Sequence, residues 1–229
     1  MLFRSDLVEL CAGIPEGGTT PSYGEIKTAR RVLTTTRLHV IIRPRGGDFL
    51  YSPLELERMA ADIDIARELG ADGVVFGCLR PDGSLDTEAN AMLMEHAKGL
   101  SVTFHRAFDR CADPRKALEE LIAQGFDRIL TSGQQPTALE GTPLLKELHE
   151  QTNGRIILLA GCGVNEQNIA TIAQATAIHE FHFSARTAVK SKMMFSNPDV
   201  YMGAKDADED TLNITSAERV ANTIAQLCK

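Results

Sequence analysis

Seven short apolar runs alternate with longer amphipathic stretches along this chain, and that rhythm restricts the fold more than any other feature. The runs fall at residues 7–11, 38–43, 73–78, 101–105, 128–132, 155–161 and 180–185. Each is rich in Val, Ile, Leu or Phe and too short for a helix of ordinary length, so each reads as a buried strand. The intervening stretches start on a capping residue plus proline and stop at glycine. Ser52 stands as N-cap before Pro53, Glu55 completes a capping box, and Gly70 ends the pattern. Asp113, Pro114 and Gly125 repeat the plan, as do Thr142, Pro143 and Gly154, and residues 165–176 carry a further helical pattern. Strand and helix alternating at βαβ spacing give a parallel sheet.

A closed barrel of this α/β type has eight strands. Seven are found, so counting decides only partly between a doubly wound sheet and a TIM-type (β/α) barrel that is incomplete. A leading βα unit of roughly 30 residues, placed before residue 7, would complete it. The chain has 229 residues and 43% hydrophobic content, enough for one large core, and no linker or shift in composition divides it. Residues 1–229 are therefore expected to form a single domain, with the acidic stretch 206–210 as a solvated loop.

The formal net charge of -7 argues against a nucleic-acid partner, because phosphate affinity needs a basic surface. There is no run of 18 apolar residues and no signal-peptide pattern, so the expected location is cytoplasmic, with no membrane partner. Five cysteines without regular spacing fit reduced thiols.

In parallel α/β folds, sites form at the carboxyl ends of the strands. The polar interruptions of this core gather there. The first run carries Glu9 and Cys11, and the second runs into Arg43, Arg45 and Asp48. The fourth ends at His105, Arg106 and Asp109, and the seventh brings His182 and Arg186. Glu9 needs a partner to be buried, and an arginine of the neighbouring strand is the natural candidate. The small residues Ser132 and Gly133 after the fifth run, and Gly161 and Gly163 after the sixth, can expose backbone N–H groups to a phosphate or carboxylate. The arginines make the mouth locally cationic. Cys11, Cys78, Cys111 and Cys162 lie at or beyond strand ends, where thiolates suit soft metals. The spacing, without C-x-x-C or paired histidines, equally fits scattered reduced thiols.

The stretches "VELCAGIPEGGTTPS", "IIRPRGGDFLYS", "VTFHRAFD", "ILTSGQ" and "EFHFSAR" together resemble the CutC family, named for copper homeostasis. The resemblance implies a cytoplasmic TIM-type barrel, a homo-oligomer, and Cu(I) bound through cysteine. It also implies a preceding strand and helix with an E-V-C-like motif. Without that unit one of two copper-site cysteines is missing and Cys11 remains as the metal-ligand candidate. The alternative is an enzyme or sensor for a small phosphorylated or carboxylated molecule. There Arg43 and Arg45 clamp the anion and the Gly-rich turns donate to it. His105 acts as general acid or base, with Glu9 or Asp109 orienting it.

Overall fold

The structure is a computed structural model and describes residues 5–197, 199–200 and 208–228. Its main sheet is built from β1 (Leu7–Leu10), β2 (Arg37–Ile41), β3 (Gly73–Phe76), β4 (Ser101–Phe104), β5 (Arg128–Thr131), β6 (Ile157–Gly161) and β7 (Glu180–His182). All neighbours are parallel and follow chain order. The helices between them are α1 (Tyr23–Val32), α2 (Pro53–Glu68), α3 (Thr87–His96), α4 (Pro114–Gln124), α5 (Thr142–Thr152) and α6 (Ile169–Thr176).

The strands divide their side chains between two faces, as a period of two requires. Leu38, Val40, Val74, Phe76, Val102, Phe104, Ile129, Leu158 and Ala160 pack against helix residues such as Met59, Ile63, Leu93, Leu121 and Leu148 in one continuous core. Burying each large side chain there contributes about 2 kcal/mol relative to exposure. The alternate residues His39, Ile41, Val75, Thr103 and Leu130 are buried but lie outside that cluster, on the inner face of the sheet.

That inner face is concave. Laid flat, the seven strands would span roughly 29 Å. Yet Glu9 on β1 and His182 on β7 approach to 3.7 Å. The sheet therefore curls until its first and last strands nearly meet, although among the described residues no ladder joins them. This is the expected incomplete (β/α) barrel with seven parallel strands.

Local signals place most boundaries. Ser52 accepts from the Glu55 N–H while Glu55 reaches back to the Ser52 N–H, and Ser22 and Glu25 repeat the box on α1. Asp113 accepts from the Arg115 and Lys116 N–H groups, and Gly125 ends α4 with φ 82°. Thr142 departs from expectation. Gly141 is the N-cap of α5, because the Thr142 hydroxyl donates to the Leu139 carbonyl and Thr142 is already helical. At the other end Asn153, not Gly154, takes the left-handed cap, with φ 46°.

The seventh run is also shorter than predicted. β7 stops at His182, and Arg186 opens an antiparallel hairpin of β8 (Arg186–Lys190) and β9 (Thr211–Thr215), followed by α7 (Ala217–Ala225). The hairpin stands apart from the parallel sheet. The acidic stretch 206–210 precedes β9, and Asp206 and Ala207 of it lie outside the described residues.

Candidate functional site

Past Ile41 the chain stays buried for three more residues, and the second is an arginine. Arg43 is only 6% exposed. Its backbone N–H donates to Thr20 Oγ1 at 2.9 Å, and its carbonyl accepts from the Thr20 N–H at 2.9 Å. That pairing extends the strand's direction and fixes the side chain. Nη1 donates to the Glu16 and Gly18 carbonyls, both at 2.8 Å, and Nη2 to the Gly47 carbonyl at 3.0 Å. No carboxylate takes part in these bonds. The guanidinium carbon lies 5.2 Å from the centre of the Phe49 ring. Nε is buried without a partner.

His105 ends β4 and caps the 3-10 turn Arg106–Arg110, its Nδ1 accepting from the Ala107 N–H at 3.3 Å. That bond places the ring proton on Nε2. Nε2 is also buried without a partner. Burial, then the charge of Arg43, pushes the imidazole down to about 3. At neutral pH His105 is thus an uncharged hydrogen-bond donor. Its ring packs on Phe49 at 4.9 Å.

Glu9 and His182 form a further wall of the same space. The Glu9 side chain is 10% exposed, and the side chain that approaches it is His182 from β7, rather than an arginine from β2. At 3.7 Å the pair is an ion-pair contact and not a hydrogen bond. Between the walls lies a cavity of about 350 Å³ that is open to solvent. Arg43, His105, Arg106, Glu9 and His182 supply its polar lining, with Gly163 and Ser184. Ile41, Phe49, Leu130, Val164 and Phe183 supply apolar walls. The volume and the mixed lining are those of a small-molecule pocket.

The turn after β5 is an anion nest, but the chain fills it itself. Asp109 Oδ1 accepts from Thr131 Oγ1 at 2.6 Å, the Ser132 N–H at 3.0 Å and the Gln134 N–H at 3.2 Å. Asp109 Oδ2 accepts from Ser132 Oγ at 3.1 Å and Arg106 Nε at 2.8 Å. Left-handed φ values of 68° at Gly133 and 55° at Gln134 wrap the loop around this carboxylate. A Cβ on Gly133 would stand 2.4 Å from the Gly141 carbonyl oxygen, so only glycine fits. Asp109 therefore makes no hydrogen bond to His105, and the Ser132 and Gly133 N–H groups are spent, the latter on Thr131 Oγ1. Arg106 spends Nε on Asp109 and Nη2 on Ser132 Oγ. The turn after β6 differs: Cys162, Gly163 and Val164 line the cavity.

Arg45 and Asp48 lie outside the cavity lining. Arg45 pairs with Glu55 at 2.6 Å and Asp48 at 3.0 Å and donates to the Leu50 carbonyl. It pins the loop to the capping box of α2. Arg186 sits on β8, exposed and beyond the lining. Gly161 ends β6, where a Cβ would meet Leu130 Cδ1 at 2.5 Å, so its smallness serves packing.

The thiols do not assemble into a soft-metal site. Cys11, Cys78, Cys111 and Cys162 are free. Among the described residues no three His, Cys, Asp or Glu side chains converge as a metal-holding group. Burial, then Glu9, pushes the Cys11 thiol up, with Arg186 partly offsetting. Burial drives Cys78 up as well, and Cys111 up to about 12. A thiolate is the metal ligand, so these environments oppose ligation. Cys162, at the cavity edge, donates to the Pro136 carbonyl at 3.1 Å. Among the described residues no three-donor set is assembled for Cu(I), which leaves Cys11 as a single thiol at the end of β1.

Phe49 escaped the sequence reading as a site residue. Its signal was its place in "RPRGGDF", two positions beyond the Gly pair, where an aromatic has no strand to belong to.

The CutC family model matches residues 4–187. The family protein CutC of Bacteroides thetaiotaomicron is 66% identical over 221 residues, 96% of this chain and 89% of that protein. The human copper homeostasis protein cutC homolog is 47% identical over 225 residues, 97% of this chain and 82% of that protein. The crystal structure of the putative copper homeostasis protein CutC from Streptococcus agalactiae superposes with a TM-score of 0.75 at 41% identity. It covers 77% of this chain and 87% of its own.

Proposed function

The chain belongs to the CutC family, and on that premise we propose that it acts in copper homeostasis by binding a small organic anion in its strand-end cavity. One observation carries this reading. Two N–H donors, Arg43 Nε and His105 Nε2, are buried on the cavity lining with no protein acceptor. A buried unsatisfied donor costs about 1–3 kcal/mol, and an anionic ligand would recover that. Where a reaction occurs, His105 serves as a neutral donor to a developing oxyanion, since its depressed pKa removes it as a cationic acid. Glu9 is the carboxylate left to handle a proton.

Thermal shift with acetate, benzoate and inorganic phosphate tests the proposal. Wild type gains stability with at least one anion, by mass action. His105→Leu and Arg43→Lys lose that gain. No stabilisation by any anion overturns it.

A second reading, direct Cu(I) binding at Cys11, draws on the name of the human relative, a copper homeostasis protein, and on the free thiol at the end of β1. Anaerobic Cu(I) titration of wild type and Cys11→Ser separates the readings, and equal weak binding by both removes this one. The proposal is completed by a cytoplasmic location, which the free thiols support. It adds homo-oligomerisation of the single domain, supported by the exposed side chains of Met193, Met194 and Phe195. No nucleic-acid or membrane partner is proposed.

A further inference from the structure

We infer that the cavity's ligand is a monocarboxylate on an apolar framework that also bears a hydrogen-bond donor, a hydroxyl or an ammonium, and that phosphorylated compounds are poor ligands. This deepens the anion reading above and rests on it.

Three features carry the inference. The first is charge. Of the two arginines on the lining, Arg106 is matched by Asp109 at 2.8 Å, while Arg43 is held by neutral carbonyls alone. Glu9 brings a negative charge and His182 answers it when protonated. The lining is thus neutral with His182 neutral, and carries one positive charge with His182 protonated. Either state suits a monoanion or zwitterion, and neither suits a phosphate dianion. The second feature is the nest after β5. A phosphate would use it, and Asp109 already occupies it with five hydrogen-bond donors. What remains is one unpartnered N–H on each of two lining residues, Arg43 and His105, a donor count that matches a carboxylate.

The third feature is Glu9. Its side chain is 10% exposed, and His182 Nε2, at 3.7 Å, is beyond hydrogen-bond range. Glu9 is an acceptor on the same cavity lining as Arg43 and His105, together with the apolar Phe49, Leu130, Val164 and Phe183. A ligand that presented only a carboxylate would leave Glu9 without a donor. One with a hydroxyl or ammonium beside the carboxylate satisfies both walls.

Calorimetric titration of the full chain with four matched probes tests this: 3-phenylpropionate, 3-phenyllactate, phenylalanine and 2-phenylethyl phosphate. 3-Phenyllactate or phenylalanine binds at least about tenfold tighter than 3-phenylpropionate, the equivalent of one charge-assisted hydrogen bond. The phosphate binds weakest. Glu9→Gln, nearly isosteric, erases the tenfold preference, because its amide no longer offers a charged acceptor to the ligand's donor. The hydroxyl and amino arms tell which donor Glu9 prefers. Equal affinity for 3-phenylpropionate and both donor-bearing acids overturns the inference. So does tightest binding of the phosphate, which would leave the anion reading standing. If none of the four binds, and acetate, benzoate and phosphate also fail to stabilise the wild type, the anion reading itself falls.

Discussion

Each end of the barrel interior holds a buried histidine and an arginine, Arg43 buried at one end and Arg128 half-buried at the other, and the two ends settle the charge differently. At the amino ends of the strands Arg128 donates from Nε to Glu180 at 2.8 Å and from Nη1 to Ser101 Oγ at 3.0 Å. His39 lies beside this pair, 1% exposed. It covers Gly73, where an added Cβ would stand 2.5 Å from the imidazole Nε2. At the carboxyl ends Arg43 donates to carbonyl oxygens, with the uncharged side chains of Tyr51 and Phe49 beside it, and it lines the cavity. A cation matched by a carboxylate completes a structural layer. A cation held in place by neutral dipoles keeps its charge available. Residue type is the same at both ends, so the partners distinguish scaffold from site.

Acid titration probes what the two ends share, and the largest effect is expected there. Burial, then Arg128, pushes His39 down to about 4, with Asp72 partly offsetting. His105 is pushed down to about 3 by burial and Arg43. Both are neutral in the fold and protonate near pH 6.5 in the unfolded chain. Their contribution is therefore fully present above pH 6.5 and is lost as pH falls toward the folded values. Unfolding free energy should drop between pH 7 and pH 5 by about 2 kcal/mol for each histidine. Urea unfolding at the two pH values checks this. His39→Gln should remove about half of the drop, and an unchanged drop would show that the closed end does not hold its histidine neutral.

Much of this contrast was readable in the sequence, and the missing parts have physical causes. Strand period and capping residues are local, so the βα units were predictable and the polar groups at strand ends fell on one face. Glu9, Arg43, His105 and His182 do converge. Asp109 did not behave as expected, because its separation from His105 lets it turn toward either the imidazole or the β5 loop. The 3-10 turn Arg106–Arg110 decides, and it sends the carboxylate into the nest. The partner of Glu9 was hidden for a longer-range reason. β1 and β7 are far apart in chain order, and only the curl of the whole sheet brings His182 across. The hairpin β8–β9 joins its strands through a long connection with no tight-turn dipeptide to announce it, and many of its residues are exposed.

Removing the carboxylate's cation at the closed end sharpens the comparison next. Arg128→Met should destabilise by about 2 kcal/mol, less than a fully buried pair would lose because Glu180 is partly exposed. It should leave anion affinity at the mouth unchanged. Glu180→Gln, which keeps the shape but not the charge, should cost less. A change in anion affinity on Arg128→Met would mean that the two ends are coupled and that the division into scaffold and site is wrong.

The smallest effect separates two arginines only two residues apart. Arg45 and Arg43 flank Pro44 and look equivalent in sequence, yet Arg45 lies on the surface with 39% of its side chain exposed. Glu55 and Asp48 match its charge, and its ring contact is with Tyr51 at 5.3 Å, outside the lining. Solvent screens such a network, so Arg45→Ala should cost only about 0.5 kcal/mol. That loss should fade at high salt, because the Debye length shrinks. Anion affinity should stay within error of wild type, whereas Arg43→Lys, which keeps the charge but moves it off the Nε position, abolishes binding. Equal losses of affinity in the two variants would restore a paired arginine clamp and place the ligand nearer the loop than the cavity does.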